Sequence, residues 1–148
     1  MKTATQLAGS GTATPEVLDG QRKLEIVVPV TSITNAKAAI AAAGRLGSGL
    51  DTTIRLLKIQ LVPFPLQMGE SPIAVGFLEQ QLLELDTLDV PVHREIRYAR
   101  DFDACLRDAI TKRSLVVIAS ARRLWRTREQ RLARTLTAEG YSVVLIPC

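Results

Sequence analysis

Three short runs of apolar, mostly β-branched residues constrain this chain more than anything else in it: Leu24–Val30 (LEIVVPV), Leu115–Ala119 (LVVIA) and Ser142–Ile146 (SVVLI). None is long enough for a packed helix, and none alternates regularly with polar residues. Such runs are strands covered on both faces, the habit of parallel sheets. Parallel strands need long crossovers, and the segments between these runs have a helical period. Ile33–Leu46 is Ala-rich, with Ile33, Ala36, Ile40 and Ala43 on one stripe, and Gly47 and Gly49 close it. Thr52–Val62 reads as a second strand, stopped by Pro63 and Pro65, with a loop to Gly69.

Ser71-Pro72 supplies an N-cap and a proline at the first helical position. The helix it opens carries Ala74, Leu78, Leu82 and Leu85 on one stripe, widened by Ile73 and Phe77. After Pro91, the residues of Val92–Tyr98 alternate, with Val92, Ile96 and Tyr98 against His93, Glu95 and Arg97. That pattern predicts a half-exposed edge strand. Asp101 caps a helix whose Phe102, Cys105, Leu106, Ala109 and Ile110 share a face. Thr127-Arg128-Glu129-Gln130 has the form of a capping box and starts a helix that runs to Glu139, where Gly140 stops it. The order βαβαβαβαβ predicts an α/β fold, a five-stranded, mostly parallel sheet with helices on both faces.

A chain of 148 residues, 47% apolar and 23% charged, suits one soluble domain. Residues 1–22 are small, polar and non-periodic, which predicts a disordered leader before a domain over 23–148. The leader has no apolar core of a secretory signal, and no apolar run nears the roughly 20 residues of a membrane span. Two Cys and one His, not clustered, argue against a disulfide or a metal site. A cytoplasmic protein is expected.

Charge is segregated. Residues 121–135 hold six arginines (122, 123, 126, 128, 131, 134) and one acid, Glu129. Residues 70–90 hold five acids (Glu70, Glu79, Glu84, Asp86, Asp89) and no base. The formal net charge is +4, so outside the basic segment the chain is close to neutral. A broad nucleic-acid surface is not expected from this balance; a local anion site is.

Three stretches in this order resemble the universal stress protein family. Ile26-Val27-Val28-Pro29-Val30 is similar to its opening strand, Leu115–Ser120 to its fourth strand, and Tyr141–Pro147 to its closing strand. The likeness covers about residues 23–147 and implies sheet order 3-2-1-4-5. ATP-binding members carry an Asp after the first strand, where this chain has Thr31. They also carry a Gly-x-x-Gly stretch, then Gly-Ser or Gly-Thr, after the fourth strand. Here Ala121–Arg128 has no glycine, and Thr127 alone matches the closing hydroxyl residue. Glycines let backbone N–H groups close on phosphate, and an arginine-rich loop cannot copy that. The resemblance therefore implies a divergent member of the non-ATP-binding type.

In open parallel sheets, ligands bind beyond the carboxyl ends of the strands where strand order reverses. The candidate crevice has Val30, Thr31 and Ser32 on one lip and Ser120, Ala121, Arg122 and Arg123 on the other, with Arg126, Thr127 and Arg128 at the next helix start. The simpler expectation is that these arginines form a solvated face or pair with the acidic helix. Trp125 is expected to cover the sheet end as a lid rather than stack a base. Asp101 and Asp103 read as capping residues, His93 as a surface residue and Cys105 as a packed thiol. Ser120 has no identifiable base, so no catalytic set emerges.

The closing strand, Ser142, Val143, Val144, Leu145 and Ile146, would be an edge without a charged gatekeeper. Pairing of two copies along it predicts a homodimer, in which Cys148 would come near its symmetry mate or stay a reduced terminus. The leading expectation is a universal stress protein-like regulatory or binding domain in a stress response, without cofactor or catalysis. One alternative is an ATP or AMP binder, or weak ATP hydrolase, that uses the arginine loop. The other is a sensor domain acting on a partner protein such as a transporter.

Overall fold

The computed structural model describes residues 23–67, 75–87, 91–123 and 125–148. The expected leader over 1–22 and the expected cap at Ser71-Pro72 lie outside the described residues. Among the described residues five strands and four helices alternate: β1 (Leu24–Pro29), α1 (Ile33–Leu46), β2 (Thr52–Leu61), α2 (Val75–Leu83, continued by a 3-10 turn over Glu84–Thr87), β3 (His93–Ala99), α3 (Phe102–Ala109), β4 (Leu115–Ser120), α4 (Arg128–Ala138) and β5 (Ser142–Pro147). The sheet order is β3-β2-β1-β4-β5 and every pairing is parallel. The expected fold class holds, with β3 at one edge and β5 at the other.

Two cores follow from the alternation within the central strands. Ile26, Val28, Ile54, Leu56, Val117 and Ala119 face α1 and the end of α2, where Ala36, Ile40, Leu82 and Leu85 meet them. Val27, Leu57, Ile59, Val116 and Ile118 face α3 and α4 through Leu106, Leu132 and Leu136. Successive strand residues point to opposite faces, so β1 serves both cores at once. The first two crossovers cover one face. The chain then reverses past β1, and right-handed crossovers put the next two helices on the other.

The caps read from sequence are in place. The Ser32 hydroxyl accepts from Asn35 N, that of Thr127 from Gln130 N, and the Asp101 carboxylate from Ala104 N. Gln130 completes the capping box by accepting from Thr127 N. At the far end of α4, Gly140 has φ +94°. Tyr141 N donates to Leu136 O and Gly140 N to Thr137 O, the double closure that needs a left-handed residue.

At the amino end of the sheet the charges are paired. Arg55 reaches Glu95 Oε1 at 2.7 Å, Ala109 O at 2.6 Å and Glu25 Oε2 at 3.3 Å. Buried Ser114 donates to Glu25 Oε1 at 2.7 Å, and Arg97 donates to Glu95 Oε2 at 2.6 Å. The cluster joins β1, β2 and β3 to the end of α3 and the turn before β4. Burial raises the Glu95 carboxyl, but hydrogen bonds from Arg55 and Arg97 outweigh it and hold the group below its ordinary 4.5. A depressed carboxylate stabilises the fold above its unfolded value and loses that contribution as pH falls through the folded one. Glu95→Gln is therefore expected to cost about 1–2 kcal/mol at neutral pH in urea unfolding. The gap from the parent protein should close as pH drops below about 4.5; a pH-independent gap would contradict this account.

Candidate functional site

The reversal point sits between β1 and β4, and one residue helps to open it. Val30 N donates to Leu57 O at 2.9 Å, so the even-numbered amides of β1 face β2. The odd-numbered ones face β4, and there Pro29 has no N–H to give. The β1–β4 pairing runs only from Ile26–Leu115 to Val27–Val116. Beyond it the two strands lead into separate loops, one into the start of α1 and the other into the Ala121–Thr127 turn.

A cavity of about 640 Å³ lies there, within the usual range for small-molecule sites. One wall is the first turn of α1, with Ser32, Thr34 and Asn35; the other is Ala121, Arg123 and Trp125–Glu129. Two helix N-termini thus meet on one space. Each has amides without an intrahelical acceptor and the positive end of a helix dipole, a combination that attracts anions. Three arginines against one carboxylate in the wall deepen that preference. Arg122, Arg123 and Arg126 are exposed and make no ion pair among the described residues. Lys58, on β2, is held below the ordinary lysine value, first by burial and then by the charge of Arg128.

Of the residues read as the crevice, Ser32, Arg123, Arg126, Thr127 and Arg128 share this wall. Val30 and Ser120 do not; they are 3% and 2% exposed and lie inside the fold. The Ser120 hydroxyl is 2.6 Å from Thr127 Oγ1, and Cys148 N donates to Ser120 O at 3.0 Å. Thr31 and Arg122 also stand outside the wall. Thr34, Asn35 and Glu129 were not picked out from sequence. The signal was there in the caps, since residues two and three places after an N-cap border whatever the helix start faces.

One sequence expectation is corrected and another holds in part. Trp125 is not a lid: it is 84% exposed and stands in the cavity wall. Of the two expectations for the arginines, the solvated face agrees with their exposure, whereas pairing with the described acids of the acidic helix does not occur, because α2 packs on the α1 face and α4 on the opposite one. Arg128 instead lies over the Phe102 ring, 4.3 Å from its centroid, and Arg131 donates to Arg126 O at 3.0 Å. Glu70, Asp86 and Asp89 lie outside the described residues or side chains. Asp101 caps as expected, His93 is exposed, and Cys105 is half-buried with its thiol pushed up mainly by burial.

Among the described residues no three His, Cys, Asp or Glu side chains gather as a metal-binding group, and no helix is long and apolar enough to cross a membrane. Thr127 both caps α4 and meets buried Ser120, so Thr127→Ala should cost about 1–2 kcal/mol in urea unfolding, with Thr127→Ser restoring most of it. An unchanged midpoint for the alanine variant would show that neither contact matters. No protein-family model matches the chain, and no curated protein does.

Proposed function

We propose that this chain is a regulatory binding domain, in keeping with its resemblance to universal stress proteins. Its crevice between β1 and β4 would take a small phosphate-bearing ligand, with mononucleotides the first class to test. The observation that carries the reading is the cavity on which the starts of α1 and α4 converge, with Arg123, Arg126 and Arg128 in its wall. Guanidinium groups bind phosphate oxygens two at a time, and helix-start amides supply further donors. Trp125, exposed in the same wall, offers a ring face to a base. Catalysis is no part of the proposal, since Ser120 is buried and bound to Thr127 rather than to a base.

A homodimer through β5 is the second element of the reading. This edge strand leaves Leu145 40% exposed, beside a mostly apolar groove of about 410 Å³ lined by Ala133, Arg134, Thr137, Ala138, Val143 and Leu145. An uncharged strand edge next to apolar surface is an aggregation hazard unless another strand or chain covers it.

Thermal melts with millimolar Mg-ATP, AMP and inorganic phosphate test the ligand. At 100 times its dissociation constant a ligand stabilises the fold by about 2.7 kcal/mol, which raises the midpoint visibly. The rise should vanish in the double variant Arg123→Ala, Arg126→Ala, and no rise with any of the three would overturn the reading. Light scattering at micromolar concentration should give twice the chain mass. Leu145→Lys, which puts a charge on the edge, should give a monomer; a monomeric parent protein would refute the pairing.

A further inference from the structure

The carboxyl edge of the sheet carries two aromatic rings with little protein around them. Phe64, in the turn after β2, is 81% exposed, and Trp125, in the loop after β4, is 84% exposed. Burying such a ring would remove about 150–250 Å² from water, so two of them left out on one edge forgo a large gain in stability. Phe64 is nonetheless held in place. The Arg100 guanidinium lies over its ring, 3.9 Å from the centroid. The same guanidinium donates to Val62 O at 2.9 Å and Leu66 O at 2.6 Å, which fixes the turn. One face of the ring is taken by a cation and the other is open. Trp125 stands between Arg123 and Arg126, whose charges are not neutralised by any described carboxylate.

Because the sheet is parallel, the loops after β2, β1 and β4 leave from the same edge in that spatial order. The strands that carry the two rings are two spacings apart, or about 10 Å. Thr31 and Ser32 follow the strand between these two, so by strand order the edge reads ring, polar residues, ring, with Arg100 over one ring and Arg123 and Arg126 flanking the other in sequence. We propose that this edge binds single-stranded nucleic acid. Bases stack on the open faces of Phe64 and Trp125, and the phosphates lie along Arg100, Arg122, Arg123 and Arg126. Stacking platforms combined with a basic track suit unpaired bases; a duplex offers the arginines its phosphates but hides its base faces from the rings. A membrane surface fits less well. Insertion needs a continuous apolar patch, and Thr31, Ser32 and the carboxylates of Asp101, Asp103 and Glu129 share this edge. The proposal shares arginines with the crevice but does not rest on it, since Phe64 is not part of the cavity wall.

Trp125 is the only tryptophan of the chain, so its fluorescence reports directly on the edge. The full chain is titrated with an oligothymidylate of about 15 nucleotides, within the range of known single-strand site sizes. The same titration is run with a duplex of equal length and with phosphatidylserine vesicles. Saturable quenching is expected with the single strand, at least about tenfold tighter than with the duplex, and weakening as salt rises. Phe64→Ala should fold normally, weaken oligonucleotide binding about tenfold, and leave any phosphate-dependent thermal shift unchanged. The proposal falls if the oligonucleotide leaves the fluorescence unchanged, if duplex binds as tightly, or if Phe64→Ala binds like the parent. A response to vesicles without one to the oligonucleotide would also overturn it and assign the edge to lipid.

Discussion

β1 has neighbours on every side: β2 and β4 along its edges, α1 against Ile26 and Val28, and the α3–α4 layer against Val27. These three side chains are fully buried. Removing any of them would cost the transfer energy of its lost atoms plus that of the cavity left behind. The remaining elements are arranged around this strand. Its alternation divides the interior into two cores, and its place at the reversal of strand order decides where a crevice can form. Pro29 contributes at the carboxyl end, where its missing N–H leaves β4 without a donor just before the two chains part. A residue of the buried strand thus shapes the site without touching its contents.

Arginines at the two ends of the sheet find different partners. At the amino end, Arg55 and Arg97 are matched by Glu25, Glu95 and Asp108. At the carboxyl end, Arg122, Arg123 and Arg126 make no ion pair among the described residues, although Glu129 shares the cavity wall, and Arg128 and Arg100 lie over aromatic rings. A guanidinium over a ring keeps its charge and part of its donor capacity, whereas one in an ion pair is largely committed. Part of the molecule's unpaired positive charge thus lies where open parallel sheets bind ligands.

The fold was legible because its signals are local. The apolar run Val116–Ala119 is a strand covered on both faces, as its composition predicts, whereas the similar run Ser142–Ile146 sits at an edge and stays partly exposed. Ser32, Asp101 and Thr127 each mark a helix start that involves only the next three residues. The site was less legible because it depends on exposure and on which face a helix takes. Nothing in the order of residues told that Trp125 would stand out in solvent, or that α2 would pack away from the arginines of α4. Phe64 was passed over for the same reason. Its role turns on Arg100, a residue from another strand's loop, and neither sequence period nor motif connects the two.

The pairing of β1 with β4 has one more consequence. Glu25 and Ser114, which touch beside that joint, are 89 positions apart in the chain. β2 and β3 follow β1 directly in sequence, and β5 follows β4, so each side of the joint can be assembled from near neighbours. Long-range pairings close more slowly because more chain entropy is lost first. During synthesis, the inner edge of β1 therefore waits for a strand made much later. The crevice lies across that same joint, with one wall from each side. A ligand seated there recognises only a chain whose halves have already met, and its occupancy would register completed folding as well as ligand supply.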